Sequence, residues 1–519
     1  MQSLSLRNRR WLAATATWLA VLAAGASAAV AGQGGQLRLE VVDRDTKEPI
    51  ACRMHLTNAA KRPLKAPKVP FFHDHFVFSG SITIKLPEGE YAFEIERGPE
   101  YLVRLGHFSM QNFSDDTKIV DLKRFVDMAA DGWWSGDLHV ERPAKDLELL
   151  MQAEDLHVVQ LVTWPNRKNL LPKLRAPKAQ LVEFDGNRYY HLGAGLDARA
   201  GGSLLFFNLD EPLDLGNPKP EFPPQSEAIQ KAKSHERAWI DAREAYGWDL
   251  PLWVAGGHID SIQIANSNLQ RKSSATNEGS GKPRDTRLFP GSSGNGRWSE
   301  KIYYHLLDCG LRVVPTAGSG SGTVANPLGY NRLYVHVDGE MTYEKWWDSL
   351  RAGRVTVTNG PLIRPNVEGE MPGHVFRAPS GEQIELEVGL SLSTRDRISY
   401  LEIIKNGEIA HQVRLNEWEK TGGKLPLLKF SESGWFLIRA VTDVPETYRY
   451  ATTAPYYVEI GDRPRISKSS AQFFLDWVNE RASSVAEKLD NPREREAVTK
   501  LHDQARAYWQ GMVERANAE

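Results

Sequence analysis

The feature that most restricts the fold of this chain is a double change of hydrophobic period, near Trp133 and again near Pro365. Before the first change, LRLEVVD (37–43), SITIKLP (81–87) and YAFEIER (91–97) alternate apolar and polar residues between Pro-Glu-Gly and Arg-Gly-Pro turns. Alternation sends every second side chain to one face, so these segments read as strands of a small β-sandwich. Beyond Trp133 the apolar runs become continuous: VVQLVT (158–163), QLVEF (180–184), SLLFFNL (203–209), LWVAG (252–256), SIQIA (261–265), RVVPTAG (312–318) and RVTVTNG (354–360). Helix-like stretches at 226–247, 299–310 and 343–353 separate them. Buried strands alternating with helices predict a parallel sheet covered on both faces, and so many units predict a closed or distorted barrel. From Pro365 to Asp462 period-two alternation returns, as in QIELEVGLSL (383–392) and YLEIIKNGE (400–408), which predicts a second β-sandwich. The last stretch, 467–518, holds two amphipathic segments split by Asp490-Asn491-Pro492 and reads as a helical hairpin packed on the body. The expected class is therefore α/β multidomain: sandwich 32–130, (β/α) barrel 131–362, sandwich 363–463 and hairpin 464–519.

Residues 1–31 have the grammar of a secretory signal peptide. Arg7, Arg9 and Arg10 precede an apolar run from Trp11 to Ala24, and Ala26-Ser27-Ala28 and Ala29-Val30-Ala31 are candidate cleavage sites. Arg9-Arg10 is also compatible with twin-arginine export, so the expected location is periplasmic or extracellular by either route. No later segment is apolar enough to span a bilayer. A net charge of −2 gives no reason to expect nucleic-acid binding. Cys52 and Cys309, far apart in sequence, are expected to be buried free thiols.

The stretch most suggestive of chemistry is GWWSGDLHVERP (132–143). Asp137, His139 and Glu141 alternate, so on a strand their side chains share one face, an arrangement suited to a divalent metal or to proton transfer. Polar residues also cluster at predicted strand ends: Trp164 after VVQLVT, Asn266 and Asn268 after SIQIA, and Gly318–Gly322 after RVVPT. In barrels of this kind the C-terminal rim carries the site. Asn331 and Arg332 enter the strand LYVHV; the Arg332 fork suits a carboxylate, sulfate or phosphate, or else pins the loop through carbonyl groups. His73-Asp74-His75 puts two imidazoles on one strand face, for packing against the next domain or for holding a metal.

GDLHVERP, AEDLHVVQLVTW (153–164), the AGSGSG loop, GYNRLYVHVDG (329–339), TNGPLIRP (358–365) and TTAPYYVE (452–459) resemble the CehA/McbA-type metallohydrolases of the PHP (polymerase and histidinol phosphatase) superfamily. The resemblance runs over most of the chain after the leader and implies a distorted seven-stranded (β/α) barrel. Its opening HxH pair corresponds to His139 and Glu141. Its bridging carboxylate corresponds to Glu183, and a later histidine to His235. Two ligand positions are lost: one falls on Thr163-Trp164 and another on Gly318–Gly322, where the family has a GSDSH-like motif.

Three outcomes follow from this reduced set. His139, Glu141, Glu183 and His235 could hold a single zinc or manganese ion, with Asp137 or His258 as supporting group or general base; the product would be a hydrolase of ester, amide, carbamate or phosphoester bonds. The site could be catalytic without metal. Or the barrel could be a binding module for a carbohydrate or small anion, lined by Trp133, Trp134, Trp164, Asn266, Asn268, Tyr330, Asn331 and Arg332.

Overall fold

The computed structural model describes residues 34–165, 180–461 and 463–519; the expected leader lies outside them. The N-terminal region forms two sheets. One is three-stranded, in the order Ser81–Leu86, Gly35–Asp43, Asp115–Leu122. The other is five-stranded, in the order Phe71–Phe72, His75–Ser79, Ala51–Asn58, Gly89–Glu96, Arg104–Met110. The inward set that alternation predicts, Leu37, Leu39, Val41, Ile82 and Ile84, meets Met54, Leu56, Phe76, Phe78 and Ile95 in one core. Cys52 lies in that core and Cys309 in the central one, both as free thiols.

The central region is a mixed sheet. Its strand order is Val314–Ala317, Ser261–Ala265, Trp239–Ala242, Gly202–Phe207, Arg188–Arg199, Val158–Pro165, Trp133–Val140, Arg332–His336, Val355–Thr358. The sheet curls until its first strand reaches its seventh: Ser321, just past Ala317, bridges Val140 in parallel, and Glu141 N–H donates to Ser321 O at 2.8 Å.

Strict (β/α)7 alternation is not what this order shows. Gly202–Phe207 runs antiparallel to both neighbours, and Arg332–His336 runs antiparallel to Trp133–Val140 and Val355–Thr358. The cause at the first is the connection. Arg199 pairs with Gly202, so only Ala200 and Gly201 join the strands, whereas a parallel partner needs a crossover of about a dozen residues or more.

Two local expectations also change. The stretch 226–247 is not one helix: Gln225–Ala232 is helical, and Trp239–Ala242 is a strand with all four residues buried. Burial in the middle of the sheet overrides helix propensity there. LWVAG is not a strand but part of the helix Leu250–Ala255, whose first turn takes Pro251 without losing a hydrogen bond.

Val355–Thr358 also pairs with Tyr450–Thr453, so the central sheet continues into Gly434–Thr442 and Ile398–Lys405. These strands form one face of the C-terminal sandwich, around Ile363, Leu390, Leu401, Phe430, Phe436 and Tyr456. The hairpin is present as helices Lys468–Ala486 and Pro492–Glu514, capped by Ser467 and Asn491. It packs on the body, with Phe474 stacked on Trp509 at 4.5 Å and Trp509 Nε1 donating to Pro251 O. The whole is a sheet-rich α/β multidomain protein with eight α-helices among the described residues, none long and apolar enough to cross a membrane.

Candidate functional site

Strand Trp133–Val140 brings Asp137 and His139 to the end of the curled sheet, and both are fully buried. Asp137 is spent on structure. Its Oδ1 accepts from His139 N at 3.1 Å and Ser319 N at 2.9 Å, and its Oδ2 from Ser319 Oγ at 2.5 Å and Gly329 N at 2.8 Å. Burial raises this carboxyl and the hydrogen bonds oppose the rise. The expected catalytic role is therefore replaced by a clasp joining loop 318–322 to the turn at Gly329. The Gly-rich loop has its own reason to lack ligands: Gly320 (φ +63°) and Gly322 (φ +109°) occupy left-handed backbone, and a Cβ on Gly318 would lie 2.5 Å from that of His139.

His139 Nε2 sits 3.2 Å from Glu141 Oε1, so the first expected pair is assembled. Behind it, Asp241 accepts from Ser261 Oγ, Thr316 Oγ1 and Gln263 Nε2 at 2.5, 2.7 and 2.7 Å, and burial pushes its carboxyl up to about 7. The rest of the expected metal set is elsewhere. Glu183 is exposed on the hairpin strand Leu181–Phe184, opposite Tyr189. His235 closes the turn after helix Gln225–Ala232 and lies 3.4 Å from the exposed Asp210. Neither joins His139 in any cluster of three or more potential ligands among the described residues. His258 precedes strand Ser261–Ala265, at the opposite end of the parallel strands from Glu141, and cannot serve as its base.

The expected substrate-binding residues are mostly packing groups. Trp164, 2% exposed, stacks on Phe206 and donates to Gly193 O at 3.0 Å. Trp134 lies at the start of its strand, edge-on to His157. Asn266, Asn268 and Asn331 tie loops together: Asn331 Nδ2 donates to Asn266 O and Leu269 O, Asn266 Oδ1 accepts from Asn268 N, and Asn268 donates to the Tyr246 hydroxyl. Arg332 pins its loop by donating to Gly329 O at 2.6 Å and Glu154 O at 3.1 Å, while also lining the cleft described next.

That cleft, of about 920 Å³, opens where the N-terminal sandwich, the central sheet and the C-terminal sandwich meet. Glu96 stands in its wall, taking Arg53 at 2.9 Å, Arg271 at 2.8 Å and Arg395 at 3.1 Å. Burial alone would raise the Glu96 carboxyl; Arg53 and Arg395 more than offset it and hold it down at about 2. Arg53 also pairs with Glu154, Arg271 with Glu94, and Arg449 with Asp396 at 2.9 Å. Donors are left over: Arg53 Nε, Arg271 Nη1 and Arg449 Nε are buried with no hydrogen-bond partner. The exposed Leu102 and Leu105 supply an apolar wall.

Beside the cleft are two buried groupings able to hold a metal, His55–Asp74–His75 and His55–Glu94–Glu96. Apart from Tyr330 and Arg332, sequence reasoning missed the cleft. Arg53 and His55 alternate with Met54 and Leu56 as any solvated strand face would, and nothing local says that another domain covers that face.

No protein-family profile and no curated protein matches the chain. Among solved structures it is similar to the Bacillus anthracis TIE protein, at 20% identity over 22% of this chain and 20% of that one, with a TM-score of 0.14. It is similar to the pilus-presented adhesin Spy0125 (Cpa), at 16% identity over 18% of this chain and 28% of that one, TM-score 0.14. It is also similar to Bacteroides uniformis β-glucuronidase 3, at 10% identity over 82% of this chain and 63% of that one, TM-score 0.17. The chain thus spans less than two thirds of each, and overlap this low carries no statement about shared fold or activity.

Proposed function

We propose that this protein binds a small organic anion in the cleft between its three β-rich regions. The observation that carries the reading is the set of unspent donors on Arg53, Arg271 and Arg449. A guanidinium stays charged in proteins, so a buried N–H without an acceptor costs about 1–3 kcal/mol unless a ligand or water supplies one. A carboxylate, sulfate or phosphate group matches the fork geometry of these side chains. The cleft volume is that of a small-molecule site, and Leu102 and Leu105 give the ligand's apolar part a surface. Calorimetric titration of the full chain with phosphate, sulfate and citrate tests this. Saturable binding weakened by Arg271→Ala supports it; no binding of any of the three anions refutes it.

A hydrolase of the resembled kind, using one zinc or manganese ion, retains a single supporting observation: the 3.2 Å contact between His139 and Glu141, with His139 Nδ1 left without a partner. Two donors do not make a tightly held ion, and Glu183 and His235 do not reach them, so the residues present do not fit that group. Metal bound in stoichiometric amount and lost on His139→Ala would restore the hydrolase reading.

A further inference from the structure

We propose that His55, Asp74 and His75 hold a divalent transition-metal ion of the zinc type on the face of the N-terminal sandwich. This site stands independently of any anion in the cleft.

Strand register brings the three residues together. In strand Ala51–Asn58, Met54 pairs with Phe76 on one side, and the same antiparallel register sets His55 beside His75, ring centroids 5.1 Å apart. Phe72 pairs with His75, so His73 and Asp74 form a two-residue turn, with His73 in left-handed backbone at φ +50°. That turn delivers the Asp74 carboxylate between the imidazoles. Oδ1 lies 3.1 Å from His75 Nδ1 and Oδ2 lies 3.3 Å from His55 Nδ1. One ligand atom from each residue lies within 4.8 Å of the others, a span that small side-chain shifts would close to the donor–donor edges of roughly 3.3–3.6 Å that ligand bonds of ~2.0–2.2 Å imply in a tetrahedral site.

The alternative is a carboxylate accepting ordinary hydrogen bonds from two histidines. It accounts for His75, whose Nδ1 is aligned with Asp74 Oδ1. It accounts for only one nitrogen of His55. That side chain is 9% exposed; its Nδ1 stands 3.3 Å from Asp74 Oδ2, and its Nε2 is buried with no hydrogen-bond partner. Each of the three residues offers a ligand atom within 4.8 Å of the other two.

Neighbouring charges permit a cation here. Arg53 is paired with Glu96 and Glu154 and Arg271 with Glu94 and Glu96, and Lys272, 3.8 Å from Asp74 Oδ2, has a side chain 70% exposed and free to swing outward. The second grouping is the weaker candidate, because Glu96 is committed to three arginines and Glu94 to Arg271. His73, 60% exposed, with Nδ1 3.8 Å from Asp74 Oδ1, is near enough to complete the set.

The test uses the full chain, stripped with a chelator and titrated with zinc chloride by calorimetry. One equivalent should bind. His75→Ala should weaken it by roughly 100-fold or more, since even outer partners of a metal site are worth 10–100-fold, and the conservative Asp74→Asn guards against loss of fold. Cobalt loading of the unaltered chain should give the visible bands of a tetrahedral nitrogen/oxygen site. His139→Ala should bind zinc as the parent does. Absence of saturable zinc and cobalt binding would overturn the proposal, as would binding that survives both His75→Ala and Asp74→Asn or is lost on His139→Ala.

Discussion

The open end of the central sheet and the three-domain cleft hold similar chemistry, yet differ in how much of it is already used. At the sheet end, Asp137 accepts four hydrogen bonds and Asp241 three, all from the protein itself. In the cleft, Glu96 draws three arginines together, and Arg53 and Arg271 each keep a buried donor that nothing accepts. A charged residue inside a fold is not a site unless some of its bonding capacity is left for a ligand. By that criterion the sheet end, where only His139 Nδ1 and Gln263 Oε1 are left over, is mainly framework, and the cleft is where the proposed anion would bind.

The comparison breaks if Asp137 can be removed cheaply. Asp137→Ala orphans the backbone N–H groups of His139, Ser319 and Gly329; at about 1–3 kcal/mol for each buried donor left unsatisfied, a loss of about 3 kcal/mol or more is expected. Thermal unfolding checks it, and a variant as stable as the parent would return Asp137 to the list of functional residues. Arg271→Ala should do the reverse. Hydrogen bonds to charged groups are worth ~1.5–3 kcal/mol, so anion affinity should fall by about ten- to a hundredfold in calorimetry, while Arg53 and Arg395 keep Glu96 paired.

The third difference is in pH response. Asp241, pushed up to about 7 by burial, starts from an unfolded value of about 3.9. A raised acid contributes stability that is fully present below about pH 4 and is lost as pH rises through about 7. Asp241→Asn should therefore flatten the decline in unfolding temperature between pH 4 and 8; Gln263, whose Oε1 lacks a partner, can turn to accept from the new amide. Some slope should remain from Glu100, raised to about 7 by burial and by Asp155, and from Asp308, raised to about 6 by burial. Equal slopes in parent and variant would mean that Asp241 titrates alike folded and unfolded. The smallest effect belongs to the exposed Glu183→Gln, which should change stability by no more than about 0.5 kcal/mol, and neither it nor His235→Ala should alter metal content.

Much of the architecture was legible because period and burial speak locally. Leu37, Leu39 and Val41 point inward as their alternation requires, and Asn491-Pro492 starts the last helix where a cap and a first-turn proline should. Trp239–Ala242 was misread because its burial depends on strands before and after it, not on its neighbours in sequence. The same reason hid the cleft: Arg53, Arg271, Arg395 and Arg449 come from distant segments, and each alone is an ordinary surface arginine. His139 and Glu141 were legible as a pair because two-residue spacing on a strand is local. Glu183 and His235 rested on resemblance, and the described structure keeps them apart from that pair.

The most direct measurement is calorimetric binding of citrate, phosphate and sulfate to three full-length proteins: the parent, Arg271→Ala and His139→Ala. Binding by the parent and by His139→Ala with equal affinity, weakened at least about tenfold in Arg271→Ala, is the predicted result. Binding lost on His139→Ala and untouched by Arg271→Ala would put the receptor at the end of the central sheet and contradict the cleft.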